Sequence, residues 1–258
     1  FQIINMIRAL KSFVHKDGSL AYFNGSNNYY NNNIKKILLN NEGIKSKNLI
    51  NNKDGLLVFE NNSLKIIFDV VNPNNKSVNY NLHSSTLAFE FSADKEKIIS
   101  NCGALNIKNS KKPDYLRYSA AHSTIILNNT NISEIYGKNS FKRSPSIVNF
   151  EKEEDENSII WIASHDGYSN NFKKIIRRSI LVNKFKTDIK GKDEIISLGL
   201  KKDKLLFNSR FHLTPICKAL LTRGKMSAII KTSSSSYLFK SDHAIGIEES
   251  IYINNHNK

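Results

Sequence analysis

From Leu56 onward, apolar residues recur at every second position in short runs broken by turn residues, and this period of two dictates extended strands with one buried face. LLVFE, then Asn61 and Asn62, then SLKIIFDV reads as a hairpin, because Asn tolerates the positive φ of tight primed turns. The sign repeats. TLAFEFS turns at Ala93 to Lys95 into KIISN, STIILNN is followed by ISEIY, and SIVNFEK crosses the acidic turn EEDEN into SIIWIAS. KIIRRSILV, DEIISLGL, LLFNSRFHL, CKALLTR, KMSAIIK, SYLFKS and AIGIEESIYI extend the series with almost no helix signal. The fold class expected is all-β, a large antiparallel β-sandwich whose alternating strands leave one face for solvent or a partner domain. No repeat of fixed period is present, which argues against a propeller or solenoid.

Ahead of this region the period differs. Ile3, Met6, Ile7, Leu10, Phe13 and Val14 form one helical stripe that Asp17-Gly18 ends. Residues 24 to 54 are rich in Asn and carry little periodicity. The expected division is a helical end at 1–16, a connecting segment at 17–54 and a sandwich at 55–258. The chain opens at Phe1 inside its helix, so any export signal is expected upstream. No run of about eighteen apolar residues is present to span a membrane as a helix.

The 258 residues are 40% apolar and 10% aromatic, enough for a substantial core. Lys and Arg number 38 against 23 Asp and Glu, a net +15 that favours a polyanionic partner. Heavy use of Asn, Lys and Ile gives the charge a second reading, as nucleotide bias toward A and T. Nucleic-acid binding rests on charge alone, since no helix-turn-helix, zinc-finger or ribonucleoprotein-type motif accompanies it, and no nucleic acid is expected as partner. Cys102 and Cys217 are the only cysteines, which excludes a disulfide framework and leaves one bridge open.

Several stretches in fixed order carry a resemblance: LHSSTLAFEFS at 82–92, NCGAL at 101–105, RYSAAHSTIIL at 117–127, SHDGY at 164–168 and RFHLTP at 210–215. Together they resemble the C-terminal domain of heparinase II/III-family proteins. FVHKDGSLAYFNGS is similar to the exit from that family's helical toroid, and IEESIYI to its closing strand. The resemblance implies an upstream α/α toroid in cis, packed against the sandwich with an acidic polysaccharide in the cleft. It also implies β-elimination across a uronic-acid linkage, which needs the carboxylate charge offset, a base for the proton alpha to it and an acid for the leaving oxygen. Periplasmic or secreted localisation follows from the same likeness.

Residue by residue, His83 and His122 match two histidines that hold a structural zinc in the family, and Asn101 stands at the acid position of that site. Asn101 through its carbonyl oxygen, or Cys102 beside it as thiolate, is the substitute donor. The other reading of His83, Asn101 and His122 is a buried polar network joining neighbouring strands. Asn81 occupies the place of a candidate catalytic base, and an amide accepts no proton at neutral pH. His83, Arg117 and His122 are the catalytic candidates, with Asn81, Tyr115 and Tyr118 as substrate-binding ones. Arg117 suits a substrate carboxylate through its planar fork, or an ion pair with Asp114. Tyr115 and Tyr118 suit stacking on pyranose rings or burial. His165, Asp166 and Tyr168 read as a turn, His212 as a structural histidine, and Trp161 as core.

The function expected is the C-terminal part of a lyase acting on uronate-containing polysaccharide. The alternative is a carbohydrate-binding or structural sandwich without elimination chemistry, as Asn81 and Asn101 permit.

Overall fold

Alternation of apolar and polar side chains builds an antiparallel sheet from β1 (Leu56–Glu60), β2 (Leu64–Asp69), β3 (Phe89–Ala93) and β4 (Glu96–Ser100), each paired with the next, and β13 (His212–Leu213) closes its far edge. The computed structural model describes residues 2–26, 31–45, 55–74, 82–104, 114–136, 140–199 and 204–253. A second antiparallel sheet runs in the order β11 (Ile189–Ser197), β10 (Lys174–Asn183), β9 (Ser158–Tyr168) and β8 (Val148–Glu154). β5 (Ile125–Leu127) pairs with β12 (Phe207–Ser209), β6 (Glu134–Tyr136) with β7 (Ser140–Arg143), and β14 (Lys218–Leu221), β15 (Ser227–Lys231) and β16 (Ser236–Lys240) form a three-stranded sheet. The all-β sandwich expected from the period of two is the observed class.

Leu64, Ile66 and Phe68 of β2 and Phe89 and Phe91 of β3 point into the main core and meet Trp161, Ile176 and Ile180 of the second sheet. Phe68 and Trp161 lie near-parallel with ring centroids 6.3 Å apart. Each such side chain contributes about 1.5–3 kcal/mol on full burial. The opposite face of the first sheet is buried as well: Ile67 packs with Ala21, Phe23 and Phe13, so the chain between 13 and 23 lies as a strap over it. A bridge between Val14 and Leu20 folds the strap on itself.

Helix α1 (Gln2–Ser12) confirms the first stripe, with Ile7 buried while Ile3 and Met6 stay exposed. The connection expected to carry little periodicity holds a helix, α2 (Asn31–Leu39), in which Ile34, Ile37 and Leu38 repeat at three-to-four spacing behind an Asn-rich first turn. Lys11 of α1 reaches over to the carbonyls of Asn41 and Ile44 beyond its end.

Three local expectations change. The Asn61-Asn62 turn uses no positive φ; the Asn61 side-chain oxygen accepts from Ser63 N and Leu64 N, an Asx turn. SHDGY is no turn. It lies inside β9, where Gly167 is pressed against Ile132 and Asp166 accepts from the backbone of Ser146 and Ile147. The actual turn is one short helix later, α3 (Ser169–Phe172), with Lys173 at φ 55°. AIGIEESIYI forms no strand over 244–253, although Ile253 N donates to Cys102 O. Cys102 and Cys217 are both free thiols.

Candidate functional site

Small hydroxyl residues hold the two motif segments together. Ser84 N donates to Arg117 O, the Ser119 hydroxyl donates to Ser84 O, and the backbone amides of Ser133 and Ile132 donate to the hydroxyls of Ser84 and Ser119. Chain segments that lack regular strand pairing thereby satisfy much of their buried backbone, while Ser133 Oγ and His122 Nδ1 have no hydrogen-bond partner among the described residues. Tyr115–Arg117 and Ser119–Ala121 are single 3-10 turns, the first capped by the Asp114 carboxylate on Leu116 N.

This packing brings His83 and His122 side by side. His83 Nδ1 lies 3.3 Å from His122 Nε2, with the rings edge to face. Both are buried. Burial, then the Arg117 guanidinium, pushes His83 down to about 3. Burial, then His83 and His212, holds His122 well below the ordinary histidine range. Both imidazoles are therefore neutral at pH 7, and their two facing nitrogens present one N–H and one lone pair to each other.

Asn101, the third residue of the expected trio, is turned elsewhere. Its side-chain oxygen accepts from Ser123 N at 3.1 Å and its amide nitrogen faces the Glu90 carboxylate at 3.3 Å. The Cys102 sulfur lies 3.5 Å from His212 Nδ1, and burial raises the thiol to about 11, so it is protonated. Two nitrogens each about 2.0–2.1 Å from a tetrahedral zinc sit roughly 3.3 Å apart, which the histidine pair matches. Among the described residues, however, no group of three or more His, Cys, Asp or Glu is placed to hold a metal. The pair fits half of a zinc site and the set does not fit a closed one.

Arg117 is buried and its guanidinium turns inward: Nε and Nη2 donate to Leu82 O at 3.2 and 3.1 Å. It thus fixes the carbonyl next to His83. Tyr115 is 63% exposed, Tyr118 is half-buried, and their rings meet edge to face at 5.5 Å. Asn81 lies outside the described residues. His212 is satisfied on both nitrogens, by Ser250 and by Ala120 O, as a structural histidine. Trp161 is core.

Two buried ionic groups organise the site, and neither was among the candidate site residues, although Glu90 lies within LHSSTLAFEFS. Glu90, on the strap side of β3, accepts from Lys97 Nζ, His15 Nε2, Tyr22 N, Ser100 Oγ and Asn101 N at 2.7 to 3.1 Å. Lys97 and these hydrogen bonds outweigh burial and hold its carboxyl at about 2, while burial and Lys97 hold His15 below its usual value. Lys97 also donates to Leu20 O and sits 4.1 Å over the Tyr22 ring. The period of two places Glu90 opposite Phe89 and Phe91, on the face expected to meet solvent or a partner. That was its only signal. The other group is Arg178 of β10, which projects into the core, pairs with Asp193 at 2.7 Å and donates to Leu87 O and to Ser123 O beside His122.

Residues 52–258 match the family model described as heparinase II/III-like, C-terminal. No curated protein matches the chain. Among solved structures, a mutant of the heparan sulfate lyase HepC from Pedobacter heparinus is similar at 16% identity and TM-score 0.70, over 97% of this chain and 41% of that one. HepC itself gives 14% and 0.67, over 93% and 39%. A structure of heparinase III gives 16% and 0.62, over 88% and 38%. The chain spans about two-fifths of the length of these structures.

Proposed function

Since the chain belongs to the heparinase II/III-like C-terminal family, we propose that it forms the sandwich wall of a lyase that cleaves uronate-containing polysaccharide, of glycosaminoglycan type, by β-elimination. The observation that carries this reading is the neutral pair His83 and His122 on a turn fixed by Arg117. A neutral imidazole keeps the lone pair that a base needs, whereas an imidazolium can only give up a proton. In the proposed reaction a base removes the proton alpha to the uronate carboxylate, the bond to the glycosidic oxygen breaks, and an acid protonates that oxygen. The upstream α/α toroid supplies the remaining groups in cis, and export to the periplasm or cell exterior brings the protein to its polymer. No step runs through a metal, because the described donors stop at two.

His122 is fully buried and the Arg117 fork is spent on a carbonyl. These two facts favour the second reading, a non-catalytic carbohydrate-binding sandwich. Absorbance of unsaturated uronate separates the two. The full-length protein is incubated with heparan-type, chondroitin-type and alginate-type polymers beside His122→Ala. A rise that the variant loses supports the lyase; no rise from folded protein leaves the binding sandwich.

A further inference from the structure

From one edge strand to the other, the outward face of the second sheet passes from acidic to basic across an apolar middle. Glu153 of β8 lies opposite Ile160 of β9, Ile160 opposite Leu181 of β10, and Leu181 opposite Lys190 of β11. The next row runs Glu151, Ile162, Ser179, Lys192. Both rows lie on the side of the sheet away from Trp161 and Ile180, which point into the core. Ile160, Ile162 and Leu181 are half-buried, while the two glutamates and two lysines at the edges are exposed. We infer that this face is an interface between two copies of the chain, packed sheet on sheet about a two-fold axis. The inference does not depend on the lyase reading.

Symmetry makes the pattern self-complementary. A two-fold axis lying in the interface and running along the strands turns β8 of one copy over β11 of the other, and β9 over β10. Each row then meets itself reversed. Glu153 faces the partner's Lys190, Glu151 faces the partner's Lys192, and Ile160 meets the partner's Leu181 across the roughly 10 Å of stacked sheets. Among the described residues, Glu151, Glu153 and Lys190 form no ion pair within their own chain. Lys192 pairs with Glu194 at 2.8 Å, but its side chain is 71% exposed and such a surface pair yields readily to a second carboxylate.

Other occupants fit less well. An acidic polymer or an anionic membrane drawn to the β11 edge would be repelled at the β8 edge. Area sets the strength. Four strands about 4.8 Å apart, over the roughly 23 Å of a seven-residue β8, give a flat area of about 440 Å2 per copy, so two copies bury close to the lower limit of specific interfaces. The dimer is therefore expected to be reversible, with a dissociation constant on the order of 10 μM. Arg178 projects from the opposite side of β10 toward Ser123 O beside His122, so the interface leaves the histidine pair of each copy uncovered.

The test is sedimentation velocity of the full-length protein from about 1 to 100 μM. Two double variants are compared with the parent: Lys190→Glu, Lys192→Glu and Glu151→Lys, Glu153→Lys. A concentration-dependent dimer that weakens at high salt is expected, and each variant alone is expected to raise the dissociation constant at least about tenfold through like charges at both edges. An equimolar mixture of the two variants restores opposite charges at both edges and is expected to pair again. Carbodiimide cross-linking of a mixture of unlabelled and isotope-labelled parent gives a readout without substitutions. Glu153 and Lys190 of one chain stand three strand spacings apart, about 14 Å, so a zero-length link between them forms only across two copies. A monomer at every concentration, as when an upstream domain covers the face, overturns the inference. So does a dimer that neither variant weakens, or a mixture that fails to pair although both variants melt like the parent. Should a variant melt early, the cross-link decides alone, and its absence from the parent dimer overturns the inference.

Discussion

His83 and His122 come from segments 39 residues apart in sequence, yet their facing nitrogens stand 3.3 Å from each other in a buried site. Charging either ring puts a cation into that site beside Arg117. Both folded-state values lie below the unfolded 6.5, so their stabilising contribution is complete above about 6.5 and is lost as pH falls below it, for His83 down to about 3. Each group adds a slope of up to about 1.4 kcal/mol per pH unit in that window. Urea denaturation from pH 7 to 4 is expected to show a shallower loss for His83→Gln than for the parent chain. Identical slopes would mean the ring is not buried neutral.

Metal dependence follows from the same pair. With two imidazoles and an Asn101 oxygen already accepting from Ser123 N, the purified full-length protein is expected to retain less than one zinc per chain. Its thermal midpoint is expected to be insensitive to a chelator. A stoichiometric zinc that His122→Ala releases would show that a further donor completes the site.

Glu90→Gln leaves Lys97 buried without its counter-charge, a change that typically costs about 3–5 kcal/mol. The carboxylate's folded value of about 2 lies below its unfolded 4.5. Its contribution is therefore present above 4.5 and lost as pH falls from there to about 2. The variant should unfold earlier in urea at pH 7 and converge on the parent at the acid end. Equal midpoints at pH 7 would remove Glu90 as an organising group.

Gly167→Ala tests the reassignment of SHDGY to a strand. A Cβ there would meet Ile132 Cγ2 at 2.9 Å and Ile132 O at 3.0 Å. Overpacking of this kind costs about 1–3 kcal/mol. A turn glycine in open space would give no such loss, and an unchanged melting temperature would return the segment to the surface.

The hairpins β1–β2 and β3–β4 were legible in the sequence because alternation is a local property, whereas that His83 lies near His122 followed only from the family resemblance that the order of the motifs carries. The turn chemistry at Asn61 was not legible, since a side-chain acceptor and a positive φ suit the same residue. SHDGY misled because Asp-Gly marks turns only where nothing packs on it, and Ile132 packs on Gly167. Glu90 stayed hidden for a tertiary reason. One acid on the polar phase of a strand reads as solvated until a distant strap brings His15 and Tyr22 down on it. Arg178 is similar: its partners Leu87 and Ser123 lie far away in the chain, and a cation on the inward phase contradicts the pattern that located the strand.

From His15 the contacts run through Glu90 to Asn101 and from Asn101 to Ser123, the residue after His122. Each link is short and buried, and the first belongs to the strap through which any N-terminal neighbour must pull. The strap and the residue after His122 are therefore joined by one run of buried hydrogen bonds, although they lie more than a hundred residues apart in the sequence.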